Sequence, residues 1–253
     1  MTVGSLFSGI GGFDLGLERA DMTVKWQVEN EPYCIKVLEK HWPHVTRYTD
    51  ITTVDWSGVE PVDLVCGGFP CQPVSVACKR KGTADERWLW PEFVRCFSVL
   101  RPRYIIVENV PGLLTANNGR AFTELLRDLA ACGYNAEWDC LPASAFGGPH
   151  LRDRLYFVAY PGSQSEYRSI FTKDGSKLGR GEEVRCQDWK FFTLVAGVPT
   201  GFGQWREMGQ PGLVRIDDGI PDVLDRLHAT GNAVVPQIVE WIGRRVLAHS
   251  EGD

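Results

Sequence analysis

The sequence lacks the features that mark membrane, secreted and zinc-stabilised proteins. No apolar run reaches the roughly 18 residues needed to span a bilayer. The start of the chain, MTVGSLFSGIGG, has no basic stretch followed by an apolar one, as a secretory signal would. The eight cysteines form no CxxC pair and no short disulfide framework. We therefore expect a cytoplasmic protein with reduced thiols and no bound metal.

The chain also lacks the positive charge that is typical of nucleic-acid-binding proteins. Its 27 Lys and Arg residues are outnumbered by 32 Asp and Glu residues, which gives a net charge of −5. Attraction to DNA would therefore have to come from local basic clusters. Two such clusters are present, namely Lys79, Arg80, Lys81 and Arg87, and then Arg152 and Arg154. Short basic runs of this kind are more often solvated surface, so charge alone does not indicate a DNA-binding protein.

The order of apolar segments predicts an α/β fold. Short apolar runs alternate with amphipathic stretches through the first two thirds of the chain, which favours a doubly wound, mostly parallel, Rossmann-like sheet. The predicted strands are Val3–Phe7, Val24–Glu29, Val62–Cys66 and Tyr104–Val107, followed by a hairpin of Tyr134–Cys140 and Leu155–Tyr160. The predicted helices are Gly12–Ala20, Pro32–His41, Arg120–Cys132 and Pro236–His249.

The composition changes between Pro161 and Gly212, where Gly, Ser, Lys and Arg mix with isolated aromatic residues without a clear period. A disordered insertion has this texture, but the aromatic residues provide enough apolar surface for a small folded region. We therefore predict a catalytic and cofactor-binding domain over residues 1–160, completed by residues 213–253. Residues 161–212 form a short substrate-facing region in this prediction.

The segment FSGIGG, Phe7–Gly12, follows the first predicted strand and opens a helix. Its glycines allow a tight turn and a close approach of the backbone to a ligand at the helix N-terminus, although a simple structural turn is the alternative. It is not the GxGxxG nicotinamide fingerprint, because Asp14 takes the place of the last glycine. Glu29, at the end of the second strand, is placed to accept hydrogen bonds from ribose hydroxyls, and Asp50 is placed to receive an adenine amino group.

Cys71 stands in the most informative segment, DLVCGGFPCQPVS. An apolar strand, two glycines and a proline hold this cysteine at the carboxyl end of a strand, where open α/β sheets build their sites. A thiolate there can act as a nucleophile when positive charge or amides lower its pKa. A buried structural cysteine is the alternative, but proline and glycine are costly in a segment that only packs.

A second reactive group is predicted at the same edge, because the strand YIIVENV ends in Glu108. If Glu108 hydrogen-bonds N3 of a cytosine, it draws electron density from the ring and opens C6 to attack by Cys71. Attack makes C5 nucleophilic toward a methyl sulfonium held by the glycine loop. Arg152 and Arg154 could hold the base carbonyl, the carboxylate and adjacent phosphates by forked hydrogen bonds.

Seven motifs in one order then resemble the successive blocks of the DNA cytosine-5 methyltransferases, of the bacterial or phage type. They are FSGIGGFDLG, ENEPYC, TDI, GGFPCQPVS, ENVPGLL, FGGPHLRDRLYFVA and GNAVVP. The resemblance implies transfer of a methyl group from S-adenosylmethionine to C5 of a cytosine through a covalent adduct of Cys71 with C6, leaving S-adenosylhomocysteine. It implies that double-stranded DNA is the partner and that the cytosine is flipped out of the duplex.

The resemblance also assigns residues. It implies catalytic roles for Cys71, Glu108, Arg152 and Arg154. It implies cofactor contacts at Phe7, Gly9, Gly11, Gly12, Glu29, Asn30, Asp50, Pro70, Asn232 and Ala233. The loop after Cys71 would bring Lys79, Arg80, Lys81 and Arg87 to the phosphates. A cognate restriction endonuclease is a possible partner of such an enzyme.

Four departures from the family pattern stand out. His150 replaces the usual glutamine, and Phe69 stands where a second proline is common. The stretch before GNAVVP is short for a target-recognition region, and the segment DERWLWPEF is one residue shorter than usual. The last departure leaves open whether Leu89 or Trp90 faces the cofactor.

Two other functions stay open. The first is an RNA (tRNA) cytosine-5 methyltransferase of the same fold, although the Cys-Phe-Thr element of that branch is absent here. The second is a catalytically inactive DNA-binding homologue, which we would expect to have lost the nucleophile or the acid.

Overall fold

The computed structural model describes residues 1–70, 88–148, 152–162, 169–171, 229 and 231–251. Several predictions fall outside these ranges. They concern the nucleophile Cys71, the basic residues Lys79, Arg80, Lys81 and Arg87, and most of the 161–212 region.

A sheet of seven strands forms the centre of the described residues. The strands are β1 (Thr2–Leu6), β2 (Thr23–Val28), β3 (Thr46–Tyr48), β4 (Leu64–Gly67), β5 (Tyr104–Asn109), β6 (Tyr134–Pro142) and β7 (Asp153–Pro161). They lie in the order β3-β2-β1-β4-β5-β7-β6. The pairs from β3 to β5 are parallel, and only β7 runs antiparallel, between β5 and β6. This confirms the predicted mostly parallel α/β sheet, and it brings the carboxyl ends of β1, β2, β4 and β5 to one edge.

Helices cover both faces of the sheet. They are α1 (Gly12–Arg19), α2 (Pro32–His41), α3 (Trp90–Leu100), α4 (Arg120–Ala131) and α5 (Pro236–Ser250). Alternate residues of β5 enter two different cores, since Ile105 and Val107 pack with α3 and α4 while Tyr104 and Ile106 pack with α1 and α5. Burial on both faces explains why the sequence of β5 is apolar throughout.

Helix α3 is absent from the predicted elements, although the sequence carries a signal for it. Trp90, Phe93 and Phe97 are spaced three and four residues apart and are all fully buried. The two residues left open in the shortened segment lie in different surroundings. Trp90 lies in the core, with its Nε1 donating to Asp128 Oδ2 over 3.0 Å, whereas Leu89 is the partly exposed residue that precedes the helix.

Residues 169–171 pack back onto the sheet and α5. The buried carboxylate of Glu137 in β6 accepts hydrogen bonds from Tyr160 Oη at 3.0 Å, Ser169 Oγ at 2.5 Å and the Ile170 amide at 3.1 Å. Arg245 donates to the Ile170 carbonyl over 3.0 Å. These hydrogen bonds attach this short part of the predicted 161–212 region to β6 and α5.

The described cysteines, Cys34, Cys66, Cys96, Cys132 and Cys140, are all free thiols. No helix within the described ranges is long and apolar enough to cross a membrane. The same residues contain no cluster of three or more His, Cys, Asp or Glu side chains that could hold a metal ion.

Candidate active site

Strands β4 and β5 end side by side, and their backbones are linked there by one side chain. Asn109 is buried, and its Nδ2 donates to the Phe69 carbonyl over 3.2 Å while its Oδ1 accepts from the Val110 amide at 2.9 Å. At Gly68 a Cβ atom would lie only 2.8 Å from Glu108 Oε2. The chain that leads into Cys71 therefore runs directly against the Glu108 carboxyl group, although Cys71 itself lies outside the described residues.

Glu108 is a buried acid paired with one of the predicted arginines. Its side chain forms an ion pair with Arg154, with 3.0 Å between Oε1 and Nε. Burial raises the pKa of Glu108 to about 7, and the positive charges of Arg154 and Arg152 oppose that rise. The carboxyl group can therefore carry a proton near neutral pH, which suits a group that donates a hydrogen bond to a base.

Arg152 points to main-chain oxygens of a distant segment. Its two terminal nitrogens donate to the Gly231 carbonyl over 2.6 Å and to the Ala233 carbonyl over 3.0 Å. Burial and the charge of Arg154 lower the pKa of Arg152. The structure thus brings Glu108, Arg152 and Arg154 into one charged group, and it joins this group to the GNAVVP segment.

The glycine loop after β1 is fastened by Glu29 at the end of β2. Glu29 Oε2 accepts from the Gly9 amide at 2.6 Å, and its Oε1 accepts from the Glu31 amide at 2.8 Å. Gly9 has a φ of +57°, and no atom of the described residues lies within 4 Å of the position where a Cβ would stand, so the described part of the chain leaves open space beside the loop. Glu29 positions the loop in this structure, an interaction that sequence inspection did not anticipate.

The next turn of the loop meets the C-terminal segment. A Cβ at Gly12 would lie 2.5 Å from the Val234 carbonyl oxygen, so only glycine permits this approach. Gly11 has a φ of +86°, a conformation that favours glycine. Phe7 has a φ of +52°, a left-handed conformation that is uncommon for a residue with a side chain, and its ring stacks on Phe93 with 6.3 Å between centroids.

The remaining predicted cofactor residues are mostly exposed. Asn30, Asp50, Pro70 and Asn232 lie at the surface, and Ala233 is buried beside Ile10 and Cys34. Asp50 Oδ1 accepts from the amide and hydroxyl of Thr52 at 2.9 and 2.7 Å, which lowers the pKa of Asp50. Asn30 follows β2, Asp50 follows β3 and Pro70 follows β4, while Asn232 and Ala233 lie in the 231–235 segment.

Asn109 is the candidate functional residue that sequence reasoning missed. It stands next to Glu108 in the YIIVENV segment, where only Glu108 was given a role. The partner of the Asn109 amide is the backbone carbonyl of Phe69. Every residue has such a carbonyl, so the sequence does not indicate this contact.

Known proteins resemble this chain in sequence and in fold. A family model described as C-5 cytosine-specific DNA methylase matches residues 1–183. The chain is 29% identical over 229 residues to the type II methyltransferase M.BsuFI of Bacillus subtilis, covering 89% of this chain and 53% of that protein. It is 34% identical over 203 residues to the type II methyltransferase M1.HphI of Haemophilus parahaemolyticus, covering 72% of this chain and 55% of that protein.

Among solved structures, the S. pombe Dnmt2 methyltransferase shares the fold, with a TM-score of 0.66 and 18% identity over 100% of both chains. The chain spans about half the length of the curated relatives it matches. Because the family model matches well over half of its residues, the chain belongs to the C-5 cytosine-specific DNA methylase family.

Proposed function

We propose that this protein is a site-specific DNA cytosine-5 methyltransferase that uses S-adenosylmethionine. The observation that carries the proposal is the buried Glu108–Arg154 ion pair, which lies against Gly68 at the entry to the GGFPCQP segment. Attack on a cytosine ring needs an acid and a nucleophile. Glu108, with a pKa near 7, is the acid, and it lies next to the segment that carries the candidate thiol nucleophile.

Glu108 would activate the base. In its protonated form it donates a hydrogen bond to N3 of a flipped cytosine, and the ring loses electron density at C6. The Cys71 thiolate then attacks C6, so that a sulfur–carbon bond forms and the ring electrons make C5 nucleophilic. Arg154 keeps the Glu108 side chain in place throughout.

The residues around the glycine loop fit S-adenosylmethionine. The open space beside Gly9 is bordered by backbone that carries no Cβ, and carboxylates follow the neighbouring strands at Glu29 and Asp50. The predicted set that would hold the cofactor is Phe7, Gly9, Gly11, Gly12, Glu29, Asn30, Asp50, Pro70, Asn232 and Ala233. When bound, S-adenosylmethionine supplies the electrophilic methyl group for C5. Water, acting as the base, then takes the C5 proton. The electron pair of the C5–H bond forms the C5–C6 double bond, and the bond from C6 to Cys71 breaks with its electron pair returning to the thiolate.

DNA would be bound by parts of the chain that lie mostly outside the described residues. Lys79, Arg80, Lys81 and Arg87 would contact phosphates, and residues 161–212 would read the sequence around the cytosine. The family and the type II methyltransferases among its relatives support duplex DNA as the substrate. They also make a cognate restriction endonuclease a partner worth testing.

The test is a comparison of Cys71→Ser with Cys140→Ser, whose thiol is exposed on β6. Each variant is expressed in cells that lack cytosine-5 methylation, and the cellular DNA is sequenced after bisulfite treatment. We expect the wild type and Cys140→Ser to methylate the same short motif and Cys71→Ser to methylate none. Methylation by Cys71→Ser at the wild-type level would overturn the mechanism.

Purified protein incubated with labelled S-adenosylmethionine and either duplex DNA or transfer RNA distinguishes the RNA alternative. Label in DNA supports the proposal. Label in transfer RNA alone would assign the protein to the RNA-methylating function, and label in neither would favour an inactive homologue.

A further inference from the structure

Arg152 holds a stretch of backbone that is far away in the sequence. Its terminal nitrogens donate to the carbonyls of Gly231 and Ala233 over 2.6 and 3.0 Å. A planar guanidinium can reach two carbonyls from one side chain, whereas a lysine ammonium offers a single point of attachment. The conformation of residues 231–233 therefore depends on an arginine at this position.

The other side of the same segment faces the glycine loop. The Val234 carbonyl oxygen lies against Gly12, where a Cβ would approach it to 2.5 Å. Ala233 packs with Ile10, which stands between Gly9 and Gly11. Residues 231–235 are thus held between Arg152 on one side and the loop at Gly9–Gly12 on the other.

Arg152 also belongs to the electrostatic environment of the acid. Arg154 lies in β7 and Arg152 immediately precedes that strand, and both positive charges act on Glu108. The positive charge of Arg152 opposes the rise in the pKa of Glu108 that burial causes. A movement of this guanidinium would therefore change the pKa of Glu108 and also the position of the segment beside the glycine loop.

We propose that Arg152 is a positioning residue that clamps residues 231–235 against the glycine loop, so that cofactor binding and the alignment of Glu108 depend on the same side chain. This role differs from direct contact with the flipped base, which the family resemblance alone would suggest. The inference rests on the proposed function, because it takes the loop at Gly9–Gly12 as the cofactor site.

The experiment measures the affinity of S-adenosylhomocysteine by calorimetry in the absence of DNA. Arg152→Lys keeps the charge but has one donor nitrogen in place of the two that reach the Gly231 and Ala233 carbonyls. Arg244→Lys is the matched control, since Arg244 also donates to a backbone carbonyl, that of Arg19, but on the exposed outer side of α5. Arg154→Lys serves as the second comparison, because it alters the partner of Glu108 without touching the clamp.

We expect Arg152→Lys to weaken S-adenosylhomocysteine binding about tenfold, to raise the KM for S-adenosylmethionine and to leave the midpoint of thermal unfolding close to that of Arg244→Lys. Arg154→Lys should bind S-adenosylhomocysteine like the wild type and lose kcat. If Arg152→Lys binds it with wild-type affinity and loses only kcat or DNA affinity, the clamp is wrong and direct contact with the base takes its place.

Two further outcomes are distinguishable. A wild-type protein that binds no S-adenosylhomocysteine contradicts the proposed function itself. If Arg152→Lys fails to fold, Arg152→Gln keeps a single donor nitrogen and should bind S-adenosylhomocysteine with lower affinity than the wild type, together with faster amide exchange at residues 231–235. Wild-type affinity and exchange in Arg152→Gln would overturn the clamp.

Discussion

Asn109 ties the segment before Cys71 to the strand that carries Glu108. In Asn109→Asp the shape is kept, but an oxygen replaces the nitrogen that donates to the Phe69 carbonyl. Two oxygens then repel each other, and the nucleophile segment moves away from the acid. Because misplacement on the scale of 1 Å can cost about a hundredfold in rate, we expect kcat to fall ten- to a hundredfold in a methyl-transfer assay.

The affinity of Asn109→Asp for S-adenosylhomocysteine should stay close to that of the wild type, since Asn109 does not touch the glycine loop in the contacts described. Asn118→Asp, in an exposed turn, is the control and should keep full activity. A parallel loss of kcat and cofactor affinity in Asn109→Asp would point to general unfolding instead.

Asp14 is a fully buried carboxyl group beneath the glycine loop. It accepts from Gln27 Nε2 at 2.7 Å and from Ser5 Oγ at 3.1 Å, yet burial raises its pKa from 3.8 to about 6. A carboxyl group with a raised pKa in the folded state contributes stability that is full below pH 3.8 and is lost as the pH rises through 6. That loss amounts to roughly 3 kcal/mol.

Asp14→Asn removes this ionisation, and its amide can still accept from Gln27 and donate to Ser5. We therefore expect the free energy of unfolding of Asp14→Asn, relative to the wild type, to increase by about 2–3 kcal/mol between pH 4 and pH 7. Urea unfolding at the two pH values measures the difference. An equal difference at both would show that Asp14 does not titrate in this range.

At the scale of elements, α1 and α5 approach closely because glycine faces the contact. A Cβ at Gly16 would lie 2.6 Å from the Pro236 carbonyl oxygen and 2.6 Å from Val239 Cβ. We expect Gly16→Ala to destabilise the fold by about 1–3 kcal/mol, although alanine is the better helix former. Gly58→Ala, with no atom within 4 Å of the new Cβ, should change the free energy of unfolding by about 0.5 kcal/mol or less. Equal effects of the two substitutions in urea unfolding would contradict this packing.

Most elements of this fold could be predicted from local patterns. Alternating apolar runs placed the strands, and Pro32 and Pro236 marked the starts of two helices. The position of β7 between β5 and β6 could not be predicted in the same way, because strand order depends on packing between residues far apart. Helix α3, in contrast, could have been predicted from the sequence, because the spacing of Trp90, Phe93 and Phe97 is typical of a helix with one buried face.

The candidate site divides along similar lines. The strand ends predicted that Glu108 lies at the edge where β4 leads toward Cys71, because parallel strands deliver their carboxyl ends together. The partners of Arg152 and Asn109 were beyond sequence reasoning, since both side chains bind backbone carbonyls. Any residue supplies a carbonyl, so the sequence carries no sign of the choice.

At the scale of the whole molecule, a net charge of −5 means that any attraction to DNA has to come from local basic clusters. We expect Lys79, Arg80, Lys81 and Arg87 to provide that attraction. Replacing all four with alanine should weaken DNA binding most at low salt. It should also reduce the magnitude of the slope of log affinity against log salt concentration by about 3 to 4, since each phosphate contact contributes about 0.9 to that magnitude.

Fluorescence anisotropy with one labelled duplex over a series of salt concentrations measures both slopes. Lys25→Ala is a control, because Lys25 lies on β2, away from the carboxyl ends of the strands, and forms an ion pair with Glu60. Identical slopes for the wild type and the four-alanine variant would remove these residues from the DNA contact.

The contact between α1 and α5 joins residues more than two hundred positions apart, as Gly16 and Pro236 illustrate. Closing so long a loop costs conformational entropy before any packing is gained, so this contact should form late during folding. A substitution at a contact formed late acts mainly on the rate of unfolding. The cost of Gly16→Ala should therefore appear in the unfolding arm of a chevron plot, with refolding nearly unchanged. The close contact of α1 and α5 at Gly16 would then slow the unfolding of the native protein much more than it speeds folding.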